Sequence, residues 1–179
     1  MNKDIFLEGA NIYLRALTEQ DVKGNYSSWL NDPEVTHFNS HGRFPMTVDK
    51  LLNYVSASML SNNDLVLAVI DKLNSVHVGN ISLQNINWID RNAEIAFLLG
   101  DKTYWGKGVM SEAGALLINH GFKLLNLHRI YCGTSSENLG MQKLADKLGM
   151  KKEGTRKDAI FKNGRYIDIL EYGILSQNI

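Results

Sequence analysis

Cysteine is almost missing from this chain of 179 residues. Cys132 stands alone, so no intramolecular disulfide can form and no zinc-finger spacing exists. Proline is nearly as scarce, at Pro33 and Pro45 only, and no Gly/Ser-rich or single-charge tract interrupts the sequence. The expectation is one domain over residues 1–179, within the usual size range and long enough to bury a real core. There is no excess charge of either sign. Nineteen basic residues balance nineteen acidic ones, which argues against a general nucleic-acid binder while leaving room for a local basic patch. No apolar run approaches the roughly 18–20 residues that cross a bilayer. The opening Met1-Asn2-Lys3-Asp4-Ile5-Phe6-Leu7-Glu8 lacks the apolar core of a signal peptide. These absences lead to the expectation of a cytoplasmic protein, a monomer or homodimer, with no membrane, nucleic-acid or metal partner.

What is present is a well-punctuated mixture of strand and helix patterns. Asn11 to Leu17 alternates apolar and polar positions and predicts a first strand. Thr18 offers a helix N-cap, with Glu19 and Asp21 where the helix dipole favours acids, and the helix should end near Asn31-Asp32-Pro33. After a loop holding His37, Phe38, His41, Arg43 and Phe44, Thr47 can cap a second helix with Leu51, Leu52, Tyr54 and Val55 on its apolar side. Strand patterns follow at Leu65–Ile70, Val76–Leu83 and Ala93–Leu99. Ser111 to Leu125 has near-helical apolar spacing. Arg129–Thr134 predicts a strand, and Gln142–Leu148 a helix stopped by Gly149. Lys151–Arg156 and Tyr166–Leu175 predict closing strands around the turn Lys162-Asn163-Gly164-Arg165. Hairpin-like pairs mixed with strand–helix–strand units indicate an α+β fold.

One segment carries a chemical signal. Trp105-Gly106-Lys107-Gly108 lies between a strand and an amphipathic helix. First-turn amides of a helix lack intrahelical partners and sit at the positive end of its dipole. Glycines let the backbone approach a phosphate closely, and Lys107 adds a mobile positive charge. The P-loop pattern is absent, and the dinucleotide fingerprint would need a third glycine where Ser111 stands. Taken alone, the loop fits a structural turn as well as a ligand site.

Its surroundings narrow the choice. The strand, the Gly-x-Gly loop and the helix are followed by Arg129–Thr134, then Glu137-Asn138, then Lys147-Leu148-Gly149-Met150-Lys151-Lys152-Glu153-Gly154. This arrangement resembles the GNAT superfamily of N-acetyltransferases, in the branch of the ribosomal-protein N-terminal acetyltransferases. The likeness runs from Ile12-Tyr13-Leu14-Arg15 to Tyr166–Tyr172. It implies a central mixed, mostly antiparallel twisted sheet flanked by helices, with acetyl-CoA as cosubstrate. The family's pyrophosphate loop maps onto Trp105, Gly106, Lys107, Gly108, Val109 and Met110; only Gly108 matches the pattern strictly, and Met110 replaces a small residue. Leu98 and Asn138 are the further cofactor-binding residues implied. In the second motif Met141 and Ala145 depart from the pattern, and Ala145 replaces the tyrosine that protonates the departing thiolate in several relatives.

The resemblance also implies direct attack of an amine on the thioester, between the strands Glu94–Leu99 and Arg129–Thr134. Glu94 is the candidate base or relay, or else an exposed strand carboxylate. His77 and His128 are expected to be structural, Cys132 and Tyr131 to pack in the core, and Asp168 to fix the last strand. His37, His41 and Arg43 border the expected acceptor pocket. Trp29–Val35 with Arg43-Phe44-Pro45 is similar to enzymes acting on amino sugars linked to nucleotides; the whole chain is equally similar to enzymes acting on protein N-termini. No acidic cluster marks the acceptor segment, as a polyamine pocket would require. The alternative is a non-catalytic acyl-CoA-binding or regulatory domain of the same fold.

Overall fold

A computed structural model describes residues 4–178. Eight strands form one sheet in the order β1-β2-β3-β4-β5-β6-β8-β7. They are β1 (Leu7–Glu8), β2 (Ile12–Ala16), β3 (Leu65–Asp71), β4 (His77–Asn87), β5 (Asn92–Leu99), β6 (Arg129–Ser135), β7 (Lys151–Lys162) and β8 (Arg165–Leu175). Every pairing is antiparallel except β5 with β6. The mixed, mostly antiparallel sheet implied by the sequence is therefore observed.

Period-two alternation divides the apolar residues between two faces. One face carries Leu14, Val69, Ile81, Ile95 and Ile130 beneath helix α4 (Val109–Lys123) and helix α5 (Leu139–Lys147). The other carries Tyr13, Ala68 and Ile70 beneath the N-terminal helical segment and helix α3 (Val48–Leu60). The side chain of Thr47 caps α3, accepting from the Lys50 amide at 3.3 Å.

The helix expected after Thr18 is broken. It divides into α1 (Glu19–Asp21), a π turn (Val22–Tyr26) and α2 (Ser27–Trp29), with Gly24 at φ −84°, ψ −138° inside the turn. Val22, Tyr26 and Trp29 are all buried against the sheet. Asp21 anchors the start: its carboxylate accepts from the Thr18 amide at 2.8 Å and from both Arg15 guanidinium nitrogens at 2.7 Å. Burial pushes the Asp21 carboxyl up, but Arg15, His77 and Thr18 together hold it below the ordinary carboxylate range.

One closing feature differs from expectation. β7 runs to Lys162 rather than Arg156, because its register with β8 shifts between Arg156 and Ile160. Asp168 braces that bulge, binding Lys157 Nζ at 2.7 Å and the Asp158 amide at 3.0 Å. The two-residue turn at Asn163 (φ 52°) and Gly164 (φ 78°) then closes the hairpin, as Asn-Gly favours.

Candidate active site

The sheet opens at one place. β5 and β6 pair only at Asn92↔Arg129, Ala93↔Ile130 and Glu94↔Tyr131. Beyond Glu94 they diverge, and a cavity of about 470 Å³ occupies the gap and the α1–α3 face of the sheet. Glu94 stands at the apex of the split and lines the cavity. Its charge helps to raise the Tyr131 phenol and the Cys132 thiol, though burial is the larger cause in both. Cys132 is pushed up to about 12, lies within the core and touches Met150 Sδ at 3.9 Å, as a packing role requires.

The hydrogen-bond phase of β5 decides which of its amides face the gap. The Gly100 amide donates to Val78 O, two residues beyond the Leu98↔Asn80 pair. In an antiparallel ladder such bonds recur at alternate residues. Leu98 and Ala96 therefore direct their backbone groups to β4, whereas Phe97 and Leu99 direct theirs to the open side. Sequence reasoning named Leu98; the exposed backbone belongs to its neighbours. Leu99 O accepts from Trp105 Nε1 at 3.0 Å, which ties the glycine loop to the end of β5.

That loop follows a 3₁₀ turn at Lys102–Tyr104 capped by Asp101. Gly106 (φ +74°) and Gly108 (φ +79°) both need the left-handed region, and a Cβ at either would meet nothing within 4 Å. The glycines therefore serve backbone shape and leave open space above it. Gly108 is the N-cap of α4 and supplies no side-chain cap. A hollow of about 390 Å³ at this helix end is lined by Lys107, Gly108, Val109, Ser111, Glu112, Asn11 and, from α5, Lys147. Two lysines, the Val109 and Met110 amides and the helix dipole bring positive potential to this end, and Glu112 opposes it while held by the Asn11 amide at 2.8 Å and the Asn11 side chain at 3.1 Å. Lys147 was not singled out from the sequence, because only tertiary packing brings α5 to this end of α4. Met110 does not crowd the loop: its side chain is buried in the core, where Gly79 leaves room for its Cε. Asn138 caps α5, its side-chain oxygen accepting from the Met141 amide at 3.0 Å, and it also lines the main cavity.

The floor of the cavity on the α1–α3 face is polar. Asn80, Ser82 and Gln84 of β4 lie opposite Leu98, Ala96 and Glu94 of β5. Tyr26 and Tyr54 line the same space, and burial raises both phenols. The roof is the loop of residues 36–43 with the β7–β8 hairpin. Lys162 Nζ donates to Thr36 O and, at 2.8 Å, to Asn39 O, while Arg43 donates to Phe161 O at 3.3 Å. Gly42 (φ +79°) packs where a Cβ would lie 2.7 Å from Thr36 Oγ1. His41 and Arg43 line the cavity; His37 does not, and instead stacks edge-on against Phe38 at 4.5 Å on the surface. His41 is held below the usual imidazole range by desolvation and by the Lys162 ammonium. His128 is exposed outside the cavity, and half-buried His77 joins the Asp21 cluster.

An eight-stranded sheet split at one parallel pair, with a glycine-capped helix leaving the split, defines an acyltransferase scaffold. The chain belongs to the GNAT acetyltransferase family, whose domain description matches residues 11–151. It is an N-acetyltransferase that uses acetyl-CoA to acetylate an amine. It is 30% identical to the uncharacterized N-acetyltransferase p20 of Bacillus licheniformis over 97% of this chain and 96% of that one. It is 30% identical to the putative ribosomal N-acetyltransferase YdaF of Bacillus subtilis over 55% of this chain and 54% of that one. Among solved structures, spermidine N-acetyltransferase from Vibrio cholerae with CoA and spermine aligns at a TM-score of 0.86, with 25% identity, over 95% of this chain and 98% of that one.

Proposed function

We propose that the protein transfers the acetyl group directly to a primary amine in a ternary complex at the β5–β6 split, with Glu94 drawing off the amine proton. The observation that carries this reading is the position of Glu94. It ends the paired part of two strands whose free edges then form the walls of one cavity. A carboxylate there can accept a proton directly or through water from an amine entering on the α1–α3 face.

Acetyl-CoA would place its pyrophosphate on the amides after Gly108, between Lys107 and Lys147, and its pantetheine along the open edge of β5. The Phe97 and Leu99 amides then replace strand partners with ligand oxygens, and an amide so placed stabilises the oxyanion as it forms. Asn138 contributes its amide NH₂ beside the pantetheine, since its oxygen is engaged in capping. Ala145 is fully buried and offers no proton to the leaving thiolate. Thr134 and Ser135, which line the same cavity, or water take that role.

The acceptor is a protein N-terminal amine or a nucleotide-linked amino sugar. Support comes from charge. Glu94 is the sole carboxylate among the described residues lining the cavity, whereas Arg43 and Arg156, the latter paired with Glu171, also line it. A polyamine carries several cations and would meet this balance unfavourably. The test is thiol release from acetyl-CoA against N-terminal peptides, amino-sugar nucleotides and polyamines. Release with the first or second group supports the reading, and release with polyamines alone overturns the acceptor assignment.

A further inference from the structure

Three basic groups converge on the roof of the cavity with no acid among them. Arg43 and His41 line the space, and Lys162 at the end of β7 lies beside both. Their effect on one another shows the proximity. After desolvation, the Arg43 guanidinium is the next cause holding the Lys162 ammonium below its usual range, and Lys162 is the next cause for the His41 imidazole. Like charges brought together cost free energy unless an anion offsets them. Elsewhere on the same hairpin that offset is built in: Arg156 pairs with Glu171, Lys157 with Asp168 and Arg165 with Glu137. No carboxylate among the described residues does this for Arg43, Lys162 or His41.

The donors of the cluster are held in place without being used up. Lys162 gives two of its three N–H bonds to Thr36 O and Asn39 O. Arg43 donates from Nη2 to Phe161 O at 3.3 Å, and the rest of its fork is unpaired among the described residues. The His41 ring has no hydrogen-bond partner there either, although its backbone amide donates to Asn39 Oδ1 at 2.9 Å. Gly42, between the two, packs tightly against Thr36. The loop is thus braced by its backbone while its basic side chains remain available at the cavity wall.

We infer that Arg43, Lys162 and His41 form an anion subsite in the roof of the acceptor cavity, so that the enzyme prefers amines carrying an oxyanion, phosphate or carboxylate, on the same molecule. Arginine supplies a fork that matches either group, and the lysine and the imidazole add single donors. Glu94 and the subsite belong to one cavity of about 470 Å³, so one acceptor can meet both. Its amine would face a carboxylate and its oxyanion the basic cluster. A nucleotide-linked amino sugar carries the oxyanion as phosphate, and a peptide carries it as an acidic residue after the N-terminal amine. An alkyl polyamine has none. The inference rests on the acetyl-transfer reading of the same cavity.

The test compares acceptors in pairs, one member with an oxyanion and one without. They are glucosamine 6-phosphate against glucosamine, UDP-glucosamine against methyl glucosaminide, and the peptide amides Ser-Glu-Glu against Ser-Gln-Gln. The ratio of kcat/KM within each pair is read in the wild type and in Arg43→Gln. Glutamine can still donate to Phe161 O but carries no charge, so a merely structural Arg43 would leave the ratios as they were. The expected result is a wild-type preference for the charged member, weakened by salt and lowered about tenfold or more by Arg43→Gln, with acetyl-CoA affinity and melting temperature unchanged. Loss confined to the sugar pairs, either or both, identifies a phosphate, and loss confined to the peptide pair an acidic residue. Unchanged ratios in all three pairs overturn the inference. If no amine is acetylated, the transfer reading fails separately. The charged members are then titrated calorimetrically into the CoA-loaded protein, where binding weakened by Arg43→Gln supports the subsite and equal binding refutes it.

Discussion

Replacing Gly108 by alanine and by aspartate separates the shape of the α4 entrance from its charge. Gly108 has φ +79° and open space around a Cβ, so alanine adds no clash. Holding an L-residue in the left-handed region costs about 1–2 kcal/mol, a fraction of the roughly 5–15 kcal/mol that keeps a domain folded. Gly108→Ala should therefore fold, melt several degrees lower and bind CoA with a modest loss. Aspartate has the same backbone cost. Its carboxylate, however, would project into the hollow between Lys107 and Lys147. At about 5 Å from a phosphate oxygen, with an effective dielectric near 20, the repulsion amounts to about 3 kcal/mol for each phosphate charge. Neutralising one flanking lysine removes a similar attraction. Gly108→Asp should therefore weaken CoA by at least about 100-fold relative to Gly108→Ala, as read by calorimetry at low salt. Raising the salt should narrow the gap by screening. Equal affinities in the two variants would refute the assignment of the pyrophosphate to this loop.

Other substitutions test separate parts of the structure. Glu94→Gln should lower kcat by about 100-fold or more without changing acetyl-CoA affinity; a wild-type rate removes Glu94 from the mechanism. Asp21→Asn strips a buried carboxylate from half-buried Arg15 and His77 and should cost about 2–3 kcal/mol in urea denaturation. Because the folded Asp21 carboxyl is held below its unfolded value of about 3.9, its contribution is complete above that pH and fades as the solution is acidified through the folded pKa. Wild-type stability should therefore lose this increment at acid pH, while Asp21→Asn should not. Lys162→Met removes two carbonyl contacts from the 36–43 roof and should raise the acceptor KM with little effect on CoA binding, as steady-state kinetics would show. Gly100→Ala should destabilise the fold by about 1–3 kcal/mol on thermal melting, since a Cβ there would lie 1.9 Å from the Trp29 ring.

The sheet was legible in the sequence wherever one face is buried and the other is not, because period-two alternation follows from that asymmetry. β2, β3, β5 and β6 lie within a residue of their expected spans. The end of β7 was hidden by the bulge at residues 157–159, which breaks the alternation while the strand continues. β1 escaped notice because two residues show no period. The break in the first helix was equally obscure: Gly24 in a helical pattern signals weakness, but a π turn depends on what the sheet offers to Tyr26 and Trp29. The glycine loop and Glu94 were legible because each belongs to a local pattern. Lys147 was not, since its place beside the loop arises from the helix alongside. Leu98 was one residue from the exposed amides for a related reason. Hydrogen-bond phase in a ladder is set by pairing, and no residue type encodes it.

The split between β5 and β6 leaves peptide groups without partners in the middle of a sheet, where unsatisfied backbone is ordinarily intolerable. Free edges of this sort invite pairing with another chain. On the reading proposed here the cosubstrate acts as a guest strand, so its arrival completes the fold as well as supplying the acetyl group. Backbone hydrogen exchange at Phe97 and Leu99 should then slow when CoA is added, while exchange at Ala93, already paired with Ile130 of β6, should scarcely change. A cell that runs short of acetyl-CoA would hold this enzyme with an open seam, and its lifetime would follow the supply of its own substrate.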